Sequence, residues 1–206
     1  GLPVAAARSG DAVEIITSCT PFYGESGGQM GDRGTMTSPS AFIRVTDTRK
    51  PDPLLTVHQA RIESGILKKG DTVNLAVDEE ARCRTALNHT ATHLLQAALV
   101  RILGEHVKQA GSLVTPERLR FDFTHFSPLS HEEIIAVERE VNARIRANYP
   151  VEVAEMEADK AIEAGATALF GEKYGDMVRV VTMSDYSVEF CGGTHLSNTA
   201  KVGSYR

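Results

Sequence analysis

The sequence predicts an α+β fold, a small antiparallel β-barrel subdomain followed by a core of helices packed on a mostly antiparallel sheet. Three features predict it. Residues 1–78 consist of short β-branched runs separated by turn signals. A long stretch of helix formers follows without Gly or Pro, and after a second helix the chain returns to strand-like runs, with no βαβ alternation. The pattern changes at Asp78, which divides the chain into a β subdomain over 1–78 and a mixed core over 79–206.

The elements follow in order. AVEIITS (12–18) alternates and is β-branched, and FIRVTDTR (42–49), LLTVHQARI (54–62) and DTVNLAVD (71–78) read as further strands. Pro51-Asp-Pro53 interrupts pairing between two of them, because proline has no N–H for the ladder, and KKGD (68–71) is a compact turn. From Glu79 to Leu103, Leu87, Leu94, Leu95, Ala98 and Ile102 recur at the three- and four-residue spacing of one helical face, and Gly104 ends the helix. Ser130 with Glu133 forms a capping box that opens a second helix running to Pro150. A strand at 151–156, a short helix around 159–164 and strands at 177–183 and 187–190 complete the core.

Composition narrows the class. The 206 residues are 42% hydrophobic and 24% charged, which excludes extended disorder. Apolar runs such as 97–100 are far shorter than the roughly 20 residues a membrane helix needs, so no membrane partner is expected. The start carries neither a secretory leader nor an initiating Met, and a piece of a larger cytoplasmic polypeptide is expected. Cys19, Cys83 and Cys191 are too few for a disulfide scaffold and read as reduced thiols. The net charge of −5 argues against a protein that grips nucleic acid chiefly through the phosphate backbone. Any such contact is then local, with Arg82, Arg84, Lys108, Arg118 and Arg120 as phosphate candidates.

Two short motifs carry chemistry. In His89-Thr-Ala-Thr-His93 the histidines sit one helical turn apart on the same face, where both imidazoles can reach one ion. In Cys191-Gly-Gly-Thr-His195 two glycines let the backbone fold Cys and His toward a common point. Either motif alone is compatible with a packed helix pair or a simple turn. Together they supply three His and one Cys, a set suited to tetrahedral zinc. A zinc protease is disfavoured because Thr90 stands where His-Glu-x-x-His needs its general base. Among the other histidines, His131 reads as solvent-facing and His125 as ordinary packing.

The stretch Gly24-Glu-Ser-Gly27-Gly28-Gln29-Met-Gly31-Asp-Arg-Gly34 places five glycines in eleven residues. Its backbone N–H groups suit a phosphate or sugar, and a set of tight β-turns is the plainer reading. It matches neither a P-loop nor a dinucleotide fingerprint.

Pro21 through Asp32, Asn88 through Leu95, Gly111 through Val114, Arg120 through Phe123 and Cys191 through Thr199 together resemble the editing region of alanyl-tRNA synthetases and the related free-standing alanyl-tRNA editing proteins. The second editing domain of threonyl-tRNA synthetases shares the two metal motifs. The resemblance covers about residues 11–200, with Ala200 standing where this family usually has Gly. It implies a β-barrel subdomain and an α/β editing core that hydrolyses the ester of mischarged tRNA(Ala), seryl-tRNA(Ala) first and glycyl-tRNA(Ala) second. By that resemblance His89, His93, Cys191 and His195 hold Zn2+, Thr92 recognises the serine hydroxyl, Gln109 is an active-site polar group, and Gly28, Gln29 and Asn198 contact the substrate. The partner would be the acceptor end of tRNA(Ala), with the aminoacylation and C-terminal domains of the parent synthetase outside this chain. A free-standing trans-editing protein and a zinc-stabilised tRNA-binding module without catalysis are the alternatives.

Overall fold

The computed structural model describes residues 2–167 and 175–206. The chain divides into two compact units, one of residues 1–26 and 30–82, the other of residues 27–29 and 83–206.

The first unit is all antiparallel. Strands β1 (Ala6–Arg8), β2 (Ala12–Ile15), β3 (Gly34–Ser38), β4 (Ala41–Asp52), β5 (Leu55–Lys68) and β6 (Asn74–Val77) form one six-stranded sheet in the order β1-β5-β4-β3-β6, with β2 also paired to β5. Side chains alternate across it, so Ala41, Ile43 and Val45 of β4 are buried while Phe42, Arg44 and Thr46 face out. With Met36, Ala60, Ile62 and Phe22 they make the core of this unit. The strands at 42–49 and 54–62 are longer than their sequence signals, continuing to Asp52 and Lys68. Their ladder is irregular between Arg49 and Asp52, where Pro51 has no N–H to give. His58 is fully buried and packed, its ring bonded to the Ile15 carbonyl (2.9 Å) and the Thr20 hydroxyl (2.8 Å). Burial lowers its pKa, so it serves this core as a neutral ring.

Within this unit Arg82 is committed to Asp32, as a charge pair with two further hydrogen bonds, and to the Pro21 carbonyl (2.8 Å). The assignment of Arg82 to a phosphate is therefore corrected. A buried carboxylate needs a fixed partner, and this guanidinium supplies it.

Helix α1 (Glu79–Leu103) carries the second unit. Every residue from His89 to Leu95 is buried, so the helix is covered almost all round there, not along one stripe. Leu94, Ala98 and Leu99 pack with Val137, Val141 and Ile145 of α2 (His131–Ala147) into the main core. Complete burial of each leucine contributes roughly 1.5–3 kcal/mol. The capping box of α2 is present in full, with Ser130 Oγ accepting from Glu133 N and Glu133 accepting from Ser130 N. Asn148, at φ 54°, ends the helix in the left-handed region two residues before Pro150.

A hairpin of β7 (Gln109–Val114) and β8 (Leu119–Phe123) follows α1. Strands β9 (Glu152–Glu157), β10 (Met177–Met183) and β11 (Ser187–Phe190) form an antiparallel sheet in the order β11-β10-β9, with helix α3 (Ala158–Glu163) after β9. A 3₁₀ turn over Thr199–Val202 lies near the end. No helix among the described residues is long and apolar enough to cross a membrane.

Candidate metal centre

His89 and His93 project from the buried middle of α1, and Cys191 and His195 from the turn that leaves β11. Arg179 on β10 shapes that turn. Its guanidinium donates to the carbonyls of Cys191 (2.8 Å) and Gly193 (2.6 Å), while Cys191 N donates to the Arg179 carbonyl (2.9 Å). Glycine is required at 193 because an added Cβ would fall on the His89 ring and lie 2.7 Å from Gln29 Oε1.

One ligand atom from each of the four residues lies within 4.8 Å of the others. Cys191 Sγ is 3.2 Å from His195 Nε2 and 3.5 Å from His89 Nε2. A tetrahedral ion with bonds of about 2.0–2.3 Å has ligand–ligand edges of roughly 3.3–3.6 Å. These contacts already sit on such edges.

The outer nitrogen of every imidazole is held. His89 Nδ1 donates to Gln29 Oε1 (2.7 Å), an oxygen that also accepts from Thr194 N (2.9 Å), while Gln29 Nε2 donates to Thr194 Oγ1 (2.9 Å). The backbone donor fixes which end of the amide is oxygen, and hence places the His89 proton on Nδ1. His93 Nδ1 meets Glu189 at 2.8 Å, with both side chains buried. His195 Nδ1 lies 3.4 Å from Thr90 Oγ1, which also accepts from Leu196 N. The Nε2 atoms are thus aimed at one point, and His93 Nε2 is buried without a hydrogen-bond partner. A buried ring nitrogen without a partner is costly, and an ion that displaced its proton would satisfy it. The residues fit a metal ion.

The electrostatics agree. Burial pushes the Cys191 thiol up, but the surrounding His195, His89 and His93 rings outweigh it and hold a thiolate, at about 2. Burial drives His195 down to about 3 and keeps it neutral. Burial also works against a charged His93, yet the Glu189 carboxylate and the Cys191 thiolate raise it to about 10. Thiolate and neutral imidazole are the forms that bind metal, and His93 carries the proton an ion would displace.

The remaining candidates fall around this centre. Gln29 is fully buried, with its amide engaged as above. At Gly28, φ is 81° and an added Cβ would meet the Ser112 carbonyl oxygen at 2.6 Å, so only glycine lets the loop lie against β7. Thr92 is buried and its hydroxyl donates to the Asn88 carbonyl (2.8 Å). Gln109 starts β7, its amide 3.4 Å from Ser112 Oγ. Asn198 caps the 3₁₀ turn through Lys201 N (3.3 Å). Sequence reading did not find Glu189, Arg179 or the work of Thr90, and the only signal was a lone Glu in an apolar strand two residues before Cys191.

A helix and a Cys-Gly-Gly-Thr-His turn on an α+β frame thus bring together four residues that could hold a metal ion, the arrangement of a candidate metal-binding α+β protein. Residues 3–81 match the family of tRNA synthetases class II (A), and residues 178–206 match the threonyl and alanyl tRNA synthetase second additional domain. The chain is 54% identical over 206 residues to an alanine–tRNA ligase of Desulfosudis oleivorans, covering 100% of this chain and 24% of the relative. It is 55% identical over 204 residues to that of Nitratidesulfovibrio vulgaris (99% and 23%), and 51% identical over 206 residues to that of Xanthomonas euvesicatoria pv. vesicatoria (100% and 23%). The chain is thus an alanyl-tRNA synthetase relative along its whole length, consistent with the editing region of that family, and spans about a quarter of the relatives it matches.

Proposed function

We propose that this chain hydrolyses the ester of mischarged tRNA(Ala), removing serine first and glycine second, with Zn2+ held by His89, His93, Cys191 and His195. The observation that supports it most is the set of three anchored imidazoles facing a thiolate, with the unpartnered Nε2 of His93 among them.

A pocket shaped for alanine rejects serine or glycine by only about 1–3 kcal/mol, because one hydroxyl is gained or one methyl lost. A second site cannot sieve by size either, since serine is the larger and must enter. It must read the hydroxyl. Thr92 Oγ1 gives its proton to Asn88 and keeps lone pairs that can accept from the serine hydroxyl. Alanine would bury those lone pairs unpaired, at about 1–3 kcal/mol.

The aminoacyl ester is already activated, so water suffices as nucleophile. Its oxygen bonds to the acyl carbon, the bond to the ribose oxygen breaks, and that oxygen takes up a proton. Gln109, whose contact with Ser112 is long, has an amide N–H available for the carbonyl oxygen as charge develops. Zinc supplies a Lewis-acidic anchor for the ester or the substrate amine.

The four-residue ligand set favours a second reading, a metal-stabilised tRNA-binding module, since closed sites are commonly structural. Incubating the chain with seryl- and alanyl-tRNA(Ala) separates the two. Selective loss of the seryl ester supports the hydrolase; loss no faster than background, with metal bound, supports the module. Thr92→Val should change serine-over-alanine selectivity about tenfold while zinc content stays constant, and unchanged selectivity would remove Thr92 from this role.

A further inference from the structure

A crevice of about 510 Å3 in the second unit follows α1 through Gln96, Val100 and Arg101. Its walls include Glu189, which holds His93, together with Gln109, Glu105 and Lys108. The last two flank His106 in sequence, and His106 belongs to an aromatic stack. Its ring lies 4.4 Å from that of Phe126 at 23°, and 5.1 Å from that of His125 at 24°. A 2.9 Å bond joins His106 Nε2 and His125 Nδ1 and holds the two imidazoles nearly parallel. Phe126 is 86% exposed although one of its faces is covered by His106, so the other face is open to solvent.

We propose that this His125–His106–Phe126 stack receives an unpaired base of the tRNA acceptor strand, while the crevice leads the aminoacylated end toward Gln109 and Glu189. The inference rests on the editing function proposed above. Three observations support a nucleobase as occupant. A flat ring with one open face gains most from another flat ring, and base–aromatic stacking needs no sequence match. Arg101 and Lys108 line the adjoining crevice and can offset phosphate charge, although Glu105, Asp185 and Glu189 line it too, so a few nucleotides fit better than a long polyanion. From His93 the helix runs ten residues, about 15 Å at the helical rise, to its end at Leu103, and His106 follows three residues on, a span that a short single strand bridges.

The chain contains no Trp, which makes Phe126→Trp a single fluorescent reporter. Unacylated acceptor-stem minihelices of tRNA(Ala), with and without the unpaired 3′ end, are titrated into the variant. Quenching by the overhanging minihelix alone is expected, with Phe126→Ala weakening its binding about five- to hundredfold and Phe126→Tyr restoring it. Equal quenching by the blunt minihelix, or none by either, overturns the platform. Deacylation is scored separately on the parent chain. Quenching without deacylation would sink the editing reading and keep the platform, whereas deacylation without quenching would sink the platform alone.

Discussion

Gly193 shows how closely the centre is packed. A methyl there would fall on His89, so Gly193→Ala should lower metal affinity about 10–100-fold while circular dichroism stays near that of the parent. Cys191→Ala should lower zinc content and deacylation together, and undiminished activity would count against the ligand assignment. Proton release tests His93. Because Glu189 and the thiolate hold it protonated up to about 10, an ion binding at pH 7 must expel that proton. Metal affinity should rise about tenfold per pH unit above neutrality and level off near pH 10. Calorimetry in two buffers should count one proton at pH 7, and fewer for Glu189→Gln. The four candidate ligands were legible because each pair lies within one turn of chain, a spacing that fixes geometry locally. Their supports were not: Gln29 meets His89 across 60 residues and Thr194 across 165, and no local pattern encodes a contact at that range.

The helices were the most legible elements, since periodicity and caps are written in neighbouring residues. Both ends of α2 agree with its sequence signals, and Ser130→Ala should cost about 1 kcal/mol in chemical denaturation. Leu94, fully buried beside the ligand helix turn, should cost about 2–5 kcal/mol as Leu94→Ala, with metal occupancy falling as the helix loosens. Strands β3, β7 and β8 escaped notice as strands for a physical reason. β3 reads GTMTS, with Met36 as its one large apolar residue, and the β7–β8 hairpin leaves most of its residues only half-buried. Such strands are fixed by what pairs with them more than by their own propensity.

For the whole molecule, the net charge of −5 and the engagement of Arg82 with Asp32 argue against a broad basic footprint for phosphate. Binding of a single-stranded end should therefore depend weakly on salt, with a log–log slope of about −1 to −2, and a steep slope would indicate a wider basic footprint. The amide that fixes His89 comes from residue 29, whereas Cys191 and His195 follow more than 160 residues later. On a ribosome adding about 5–20 residues per second, Gln29 emerges some 8–30 s before Thr194. Until then α1 presents two histidines with neither thiolate nor second anchor, a poor trap for any ion. Any ion capture would therefore wait until the Cys191–His195 turn has been made, and a nascent chain cut before that turn would stay unloaded.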